Sequence, residues 1–221
     1  MGCFKYGNVE MCLIGHASVK LKTQNFTVYI DPYANLDSKL YEDKADYVLI
    51  THEHFDHCSL DALKKVCKEN CTVVVPKNSK CSDVVKEAVP NAELIELSEG
   101  ETADLPNLKI TAVPAYNTDK PYHPRGLGIG YVVNAEDVTV YHPGDTDFIP
   151  EMESLKGKVD VFFVPISGVY VMDEFDAVKA VKTILPKIAV PMHYNYLEGL
   201  EKDAEKFAEL VGDVCEVKVL L

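Results

Sequence analysis

The segment Thr51-His52-Glu53-His54-Phe55-Asp56-His57 brings three imidazoles and an aspartate carboxylate into the six positions from His52 to His57. An apolar strand ends at Thr51, and residues two apart in an extended chain point to the same side. His52 and His54 can therefore present their rings to one ion. A turn into a helix near Ser59 would aim Asp56 and His57 at the same cavity from another direction, toward a second ion. Imidazole with carboxylate suits zinc, with manganese or iron as alternatives. A solvated polar turn explains one or two such residues, but four in six positions are costly to bury unless coordinated.

Two more polar clusters follow strands. In Tyr141-His142-Pro143-Gly144-Asp145-Thr146-Asp147, Gly144 permits a tight turn and Asp145 emerges at the strand end, where its two oxygens could bridge two ions. Val190-Pro191-Met192-His193-Tyr194-Asn195 delivers His193 in the same way. Alone, each reads as a helix cap or a structural residue. Three strand-end clusters in one chain read as a centre for one or two ions.

These clusters need strands to carry them, and the apolar patterning supplies them. Val9–Ile14, Ser18–Thr23, Thr27–Ile30 and Tyr47–Thr51 read as strands, Ser59–Glu69 as a helix capped by Ser59, Thr72–Val75 as a strand and Ser79–Ala88 as a helix. The middle is more purely β, with Glu93–Leu97, Lys109–Val113, Gly128–Asn134 and Asp137–His142. Strands at Val159–Val164, Ile188–Val190 and Cys215–Val219 then alternate with helices near Glu174–Leu185 and Leu200–Leu210. Two β-rich sections, each joined to helices, predict an α/β (α+β) chain built as a four-layer αββα sandwich. No repeat or linker divides it, so one domain over residues 1–221 is expected.

Twenty-two basic against 35 acidic residues give a formal net charge of −13. Such a surface repels a phosphate backbone, which argues against nucleic acid as a partner and for a small-molecule substrate. No run is apolar for the ~18 residues of a membrane span, and the start lacks a signal pattern, so a cytoplasmic protein is expected. The seven cysteines, an odd and scattered number, read as reduced thiols, with Cys67 and Cys71 one helical turn apart. A homo-oligomer is left open.

Taken together, Ile14-Gly15-His16-Ala17-Ser18, Ile30-Asp31-Pro32, His52–His57, Tyr141–Thr146 and Pro191-Met192-His193 resemble the metallo-β-lactamase superfamily. The likeness is nearest to its compact metal-dependent hydrolases, including the L-ascorbate-6-phosphate lactonase group, and it spans nearly the whole chain. It implies the metallo-β-lactamase-like αββα sandwich with a binuclear site at one edge. It also implies that His52 and His54 bind the first metal, that Asp56, His57 and His193 bind the second, and that Asp145 bridges them. Asp31 would hold the histidine motif from behind, and His16 would lie at the pocket rim and contact substrate. One family position is missing, because Val113-Pro114-Ala115-Tyr116-Asn117-Thr118 lacks the further histidine expected for the first metal. Either His123 reaches back to fill it, which is the reading adopted, or Asn117 or water does.

Two such ions, about 3.5–4 Å apart, would lower the pKa of a shared water to near neutrality, and the resulting hydroxide would be the nucleophile, with Asp56 as a proton shuttle. The expected activity is hydrolysis of an ester, lactone, amide or phosphoester bond. Lys120, Tyr122 and Arg125 read either as a cationic, hydrogen-bonding cluster in a loop leading to the site, suited to an anionic substrate, or as an ordinary solvated loop. The competing readings are a nuclease, an iron redox protein and a non-catalytic metal- or ligand-binding protein with a degraded first site.

Overall fold

The computed structural model describes residues 2–36, 38–196, 200 and 202–221. Its first half is a sheet in sequential order, β1 (Gly2–Tyr6), β2 (Val9–Gly15), β3 (Ser18–Lys22), β4 (Thr27–Ile30), β5 (Ala45–Leu49), β6 (Cys67–Pro76) and β7 (Glu93–Leu97). β1 to β4 form an antiparallel meander, and β4 to β7 run parallel. Helices α1 (Leu60–Val66) and α2 (Cys81–Ala88) make the parallel crossovers.

The second half repeats this plan. β8 (Thr102–Leu105), β9 (Leu108–Ala115), β10 (Gly128–Ala135) and β11 (Val138–His142) are antiparallel neighbours. β12 (Val161–Pro165), β13 (Ile188–Met192) and β14 (Glu216–Val217) then add in parallel. α3 (Glu174–Ile184) and α4 (Ala204–Val211) cover the outer face.

Three apolar layers follow from this arrangement. Met11, Leu13 and Val28 of the first sheet pack against Ile110, Tyr131 and Phe163 of the second, in the core between the sheets. Val48 and Val73 on the opposite face of the first sheet meet Leu63 and Val66 of α1 and Val85 of α2. Phe162 and Val164 meet Val181 of α3 and Phe207 of α4. The strands nearest the middle are buried on both faces, as expected for sheets covered on each side. The result is the expected αββα sandwich. Among the described residues, no helix is long and apolar enough to cross a membrane.

Three local expectations need correction. The helix after Ser59 ends at Val66, and Cys67 to Cys71 belong to β6, so those two cysteines do not share a helical turn. Cys67 instead pairs with Ala45 of β5, because sheet hydrogen bonding takes over the apolar spacing that suggested a longer helix. The strand β1 was not anticipated, although Phe4 and Tyr6 alternate with exposed Cys3 and Lys5 and pack on the core. Finally, Cys3 faces Cys12 directly across the β1–β2 pair and is joined to it as a disulfide, so not all seven cysteines are reduced thiols. The other cysteines are free.

Candidate metal centre

The parallel strands β4, β5, β11 and β13 end on one edge of the sandwich, together with the β2–β3 turn and the β9–β10 loop. That edge receives Asp31, His52, Asp145, His193, His16 and His123. The two sheets are tied together there. Ile129 N–H donates to Thr51 O at 2.9 Å, His193 N–H to His16 O at 2.9 Å, and His142 Nε2 lies 2.9 Å from Ala17 O. His142 therefore braces the turns from behind. Three of the residues at this edge adopt left-handed backbone, His16 (φ 52°), Asp31 (φ 48°) and His193 (φ 59°). Such conformations cost of order 1–3 kcal/mol each and persist only where surrounding structure enforces them.

Asp31 organises the histidines. Fully buried, its Oδ1 accepts from Thr51 N–H at 2.7 Å and its Oδ2 from the Thr51 hydroxyl at 2.6 Å. Because the Thr51 proton is committed there, His52 Nδ1, 3.0 Å from Thr51 Oγ1, must be the donor of that contact. His57 Nδ1 donates to Asp31 Oδ2 at 2.7 Å. One carboxylate thus keeps Nδ1 of both histidines as the donor and leaves Nε2 of each as the atom that can ligate.

His52 Nε2 and His123 Nε2 each lie 3.1 Å from His54 Nδ1, a triangle of three imidazole nitrogens. His123 reaches it because Asn117 clamps the loop. Asn117 N–H donates to His123 O at 2.7 Å, and Asn117 Oδ1 accepts from His123 N–H at 3.0 Å. His123 Nδ1 lies 3.1 Å from Asn117 Oδ1 and 3.2 Å from Tyr170 O, which again frees Nε2. Asn117, considered above as a substitute ligand, instead orients the histidine.

A second group comprises His16, Asp56, His57 and His193, with one donor atom from each lying within 4.8 Å of the others. Asp145 stands between the groups. Its Oδ2 is 3.3 Å from His123 Nε2 and 3.0 Å from His193 Nε2, and its Oδ1 is 3.4 Å from His57 Nε2. Ser167 Oγ, not singled out from the sequence, lies 3.3 Å from His193 Nδ1.

The charges around His57 favour a cation. Burial alone would lower its pKa, but Asp145, Asp56 and Asp31 outweigh burial and raise it to about 10. Burial likewise pushes the Asp56 and Asp145 carboxyls up, yet the surrounding imidazoles hold both below the usual range. His57 Nε2, His193 Nε2 and Asp145 Oδ1 are buried without a hydrogen-bond partner. Buried polar atoms are rarely left so. Converging lone pairs, two carboxylates and orphaned atoms fit a divalent cation in both groups.

A pocket of about 310 Å³ opens onto these atoms. His54, Asp56, His123, Asp145 and His193 form its floor, and Phe55, Tyr122 and Tyr170 its walls. Of the anticipated substrate contacts, Tyr122 is there. His16 is not at the rim, because it is 0% exposed behind Asp56. Lys120 pairs with Asp147, while Arg125 donates to Glu151 at 3.0 Å and Glu99 at 2.9 Å, and neither lines the pocket. Phe55 carried a faint signal as a lone apolar residue inside a polar motif. Ser167 and Tyr170 carried none, since nothing local distinguishes them.

A two-sheet sandwich with His and Asp donors at the strand ends of one edge defines the metallo-β-lactamase class. A family model described as a β-lactamase superfamily domain matches residues 10–193. The chain belongs to this family, among the metal-dependent hydrolases of the metallo-β-lactamase superfamily. It is 32% identical over 220 residues to a UPF0173 metal-dependent hydrolase of Thermococcus kodakarensis, covering 96% of each. The corresponding protein of Archaeoglobus fulgidus is 34% identical over 218 residues, 92% of this chain and 90% of the relative. Among solved structures, the metallo hydrolase Igni18 from Ignicoccus hospitalis superposes with a TM-score of 0.81 at 26% identity, covering 96% of this chain and 94% of that one.

Proposed function

We propose that this edge hydrolyses an ester, lactone, amide or phosphoester bond of a small substrate. One or two divalent ions, zinc or alternatively manganese or iron, would be held by His52, His54 and His123 and by Asp56, His57 and His193, with Asp145 shared. The observation that carries the reading is the sharing of Asp145 by two donor groups at the floor of one open pocket. When bound, such ions supply a hydroxide nucleophile near neutral pH and polarise the bond to be broken.

The chain's own residues do the rest. Asp31, through Thr51 and His57, keeps the imidazoles in the tautomer that can ligate. Asp56 stays ionised and lines the pocket, so it can take a proton from water and pass it to the leaving group. His16 holds one oxygen of Asp56 and leaves the other free. Tyr122 and Phe55 line the pocket beside the donors.

The non-catalytic alternative rests on an incomplete first group, and His123 Nε2 beside His54 Nδ1 supports the complete one instead. No observation favours a nuclease or a redox role. Metal content per chain, with turnover of 4-nitrophenyl esters, lactones and phosphodiesters, tests the reading. A metal-replete protein should turn over at least one class, and His57→Ala should abolish this. Metal-loaded, folded protein inert toward every class would overturn it.

A further inference from the structure

We infer that the substrate presents an uncharged, apolar group, most simply an aromatic ring, to the wall formed by Phe55, Tyr122 and Tyr170; this rests on the hydrolytic reading above. Phe55 sits between His54 and Asp56, in a motif whose histidine and aspartate side chains turn toward the donor cluster, yet it is 67% exposed. It meets the edge of Tyr33 with ring centroids 6.1 Å apart. Tyr122 is 44% exposed and stands edge-on to Tyr170 at 4.7 Å.

This aromatic wall is built in. Asn117 Nδ2 donates to Tyr170 O at 2.9 Å, while Asn117 also clamps His123, the residue after Tyr122. The backbone that carries Tyr170 and the residue after Tyr122 are thus tied to each other through Asn117, beside the floor donor His123. The edges and faces of the wall's rings suit another ring.

Charge points the same way. Among the described residues, no lysine or arginine lines the pocket. Lys120 and Arg125, the cations of the adjoining loop, are committed to Asp147, Glu99 and Glu151. Among the described residues that line the pocket, a phosphate or carboxylate arm would find no cationic partner, and the net charge of −13 does not favour it at longer range. At about 310 Å³ the pocket is at the lower end of small-molecule sites, which run from about 300 Å³ upward.

Three hydroxamates that share a metal-binding head test the inference independently of turnover. Calorimetry on the metal-loaded protein compares acetohydroxamate, phenylacetohydroxamate and succinic monohydroxamate. The phenyl arm should tighten binding about 10- to 100-fold over acetohydroxamate, the gain for burying one ring, and the carboxylate arm should give no gain. In Phe55→Ala/Tyr122→Ala the phenyl advantage should fall below about threefold, with metal content per chain as the check on folding. An equal or greater gain from the carboxylate arm, no gain from the phenyl arm, or no binding of any of the three overturns the inference. A phenyl preference in a protein that turns nothing over would sink the hydrolytic reading and leave the aromatic subsite standing.

Discussion

His16 Nε2 lies 2.9 Å from Asp56 Oδ2, across 40 residues of sequence, with both side chains buried. A carboxylate can only accept, so the proton is on Nε2. Burial, with the neighbouring His193, lowers the His16 pKa to about 4, which keeps the ring a neutral donor. His16 is therefore a positioning residue for Asp56. His16→Ala should weaken binding of the ion held by Asp56, His57 and His193 about 10- to 100-fold. His16→Gln, whose amide nitrogen can replace Nε2, should recover most of that loss. Calorimetric metal titration of both variants decides, and equal losses in Ala and Gln would remove the positioning role.

Asp31 accepts from Thr51 and His57 and has no contact with the pocket. Asp31→Asn keeps the volume but puts an amide where two donors point. We expect about 10- to 100-fold weaker metal binding and a loss of roughly 3–5 kcal/mol of stability in the metal-free chain, measured by urea unfolding. Unchanged metal affinity would show that the tautomers are set elsewhere.

Metal binding should release a proton. In the metal-free chain His57 is raised from 6.5 to about 10 by Asp145, Asp56 and Asp31 acting against burial, so at neutral pH it carries a proton that an ion must displace. Affinity of the group containing His57 should rise about tenfold per pH unit between about 7 and 9, with one proton released, as seen by calorimetry in buffers of different ionisation enthalpy. The same shift bears on the metal-free fold. A raised pKa stabilises fully below 6.5, and that contribution fades as pH rises through about 10. A flat pH dependence of affinity would contradict this.

The sheets approach closely at Gly128, where an added Cβ would stand 2.7 Å from His52 Cβ and 2.8 Å from Thr51 O. Neither neighbour can retreat without moving the motif. Gly128→Ala should therefore destabilise the chain by about 1–3 kcal/mol and loosen the ion held by His52, seen as lower metal content after dialysis. Wild-type metal retention would show that the edge can relax.

Much of the centre was legible because it is local. The spacing of His52, His54, Asp56 and His57, and the strand ends before Asp145 and His193, are properties of short segments whose periodicity carries over into the fold. His123 was only half legible, because nothing in its loop announces that Asn117 folds back to clamp it. Lys120 and Arg125 misled for the same reason. A cationic loop looks anion-binding until Asp147, Glu99 and Glu151, distant in sequence, are brought alongside it. His16 changed place from the rim to a buried position behind Asp56 because the β2–β3 turn, with His16 in left-handed backbone, is tied by its carbonyl to His193 N–H.

The sequence by itself determined the donor types, their strand-end positions and the two-sheet plan, since apolar periodicity and metal-ligand chemistry operate over a few residues. Tertiary structure decided which nitrogens are free, which charges are already paired and that aromatic rings wall the pocket. Those outcomes depend on hydrogen bonds and contacts between segments tens of residues apart, which exist only once the two sheets close on each other.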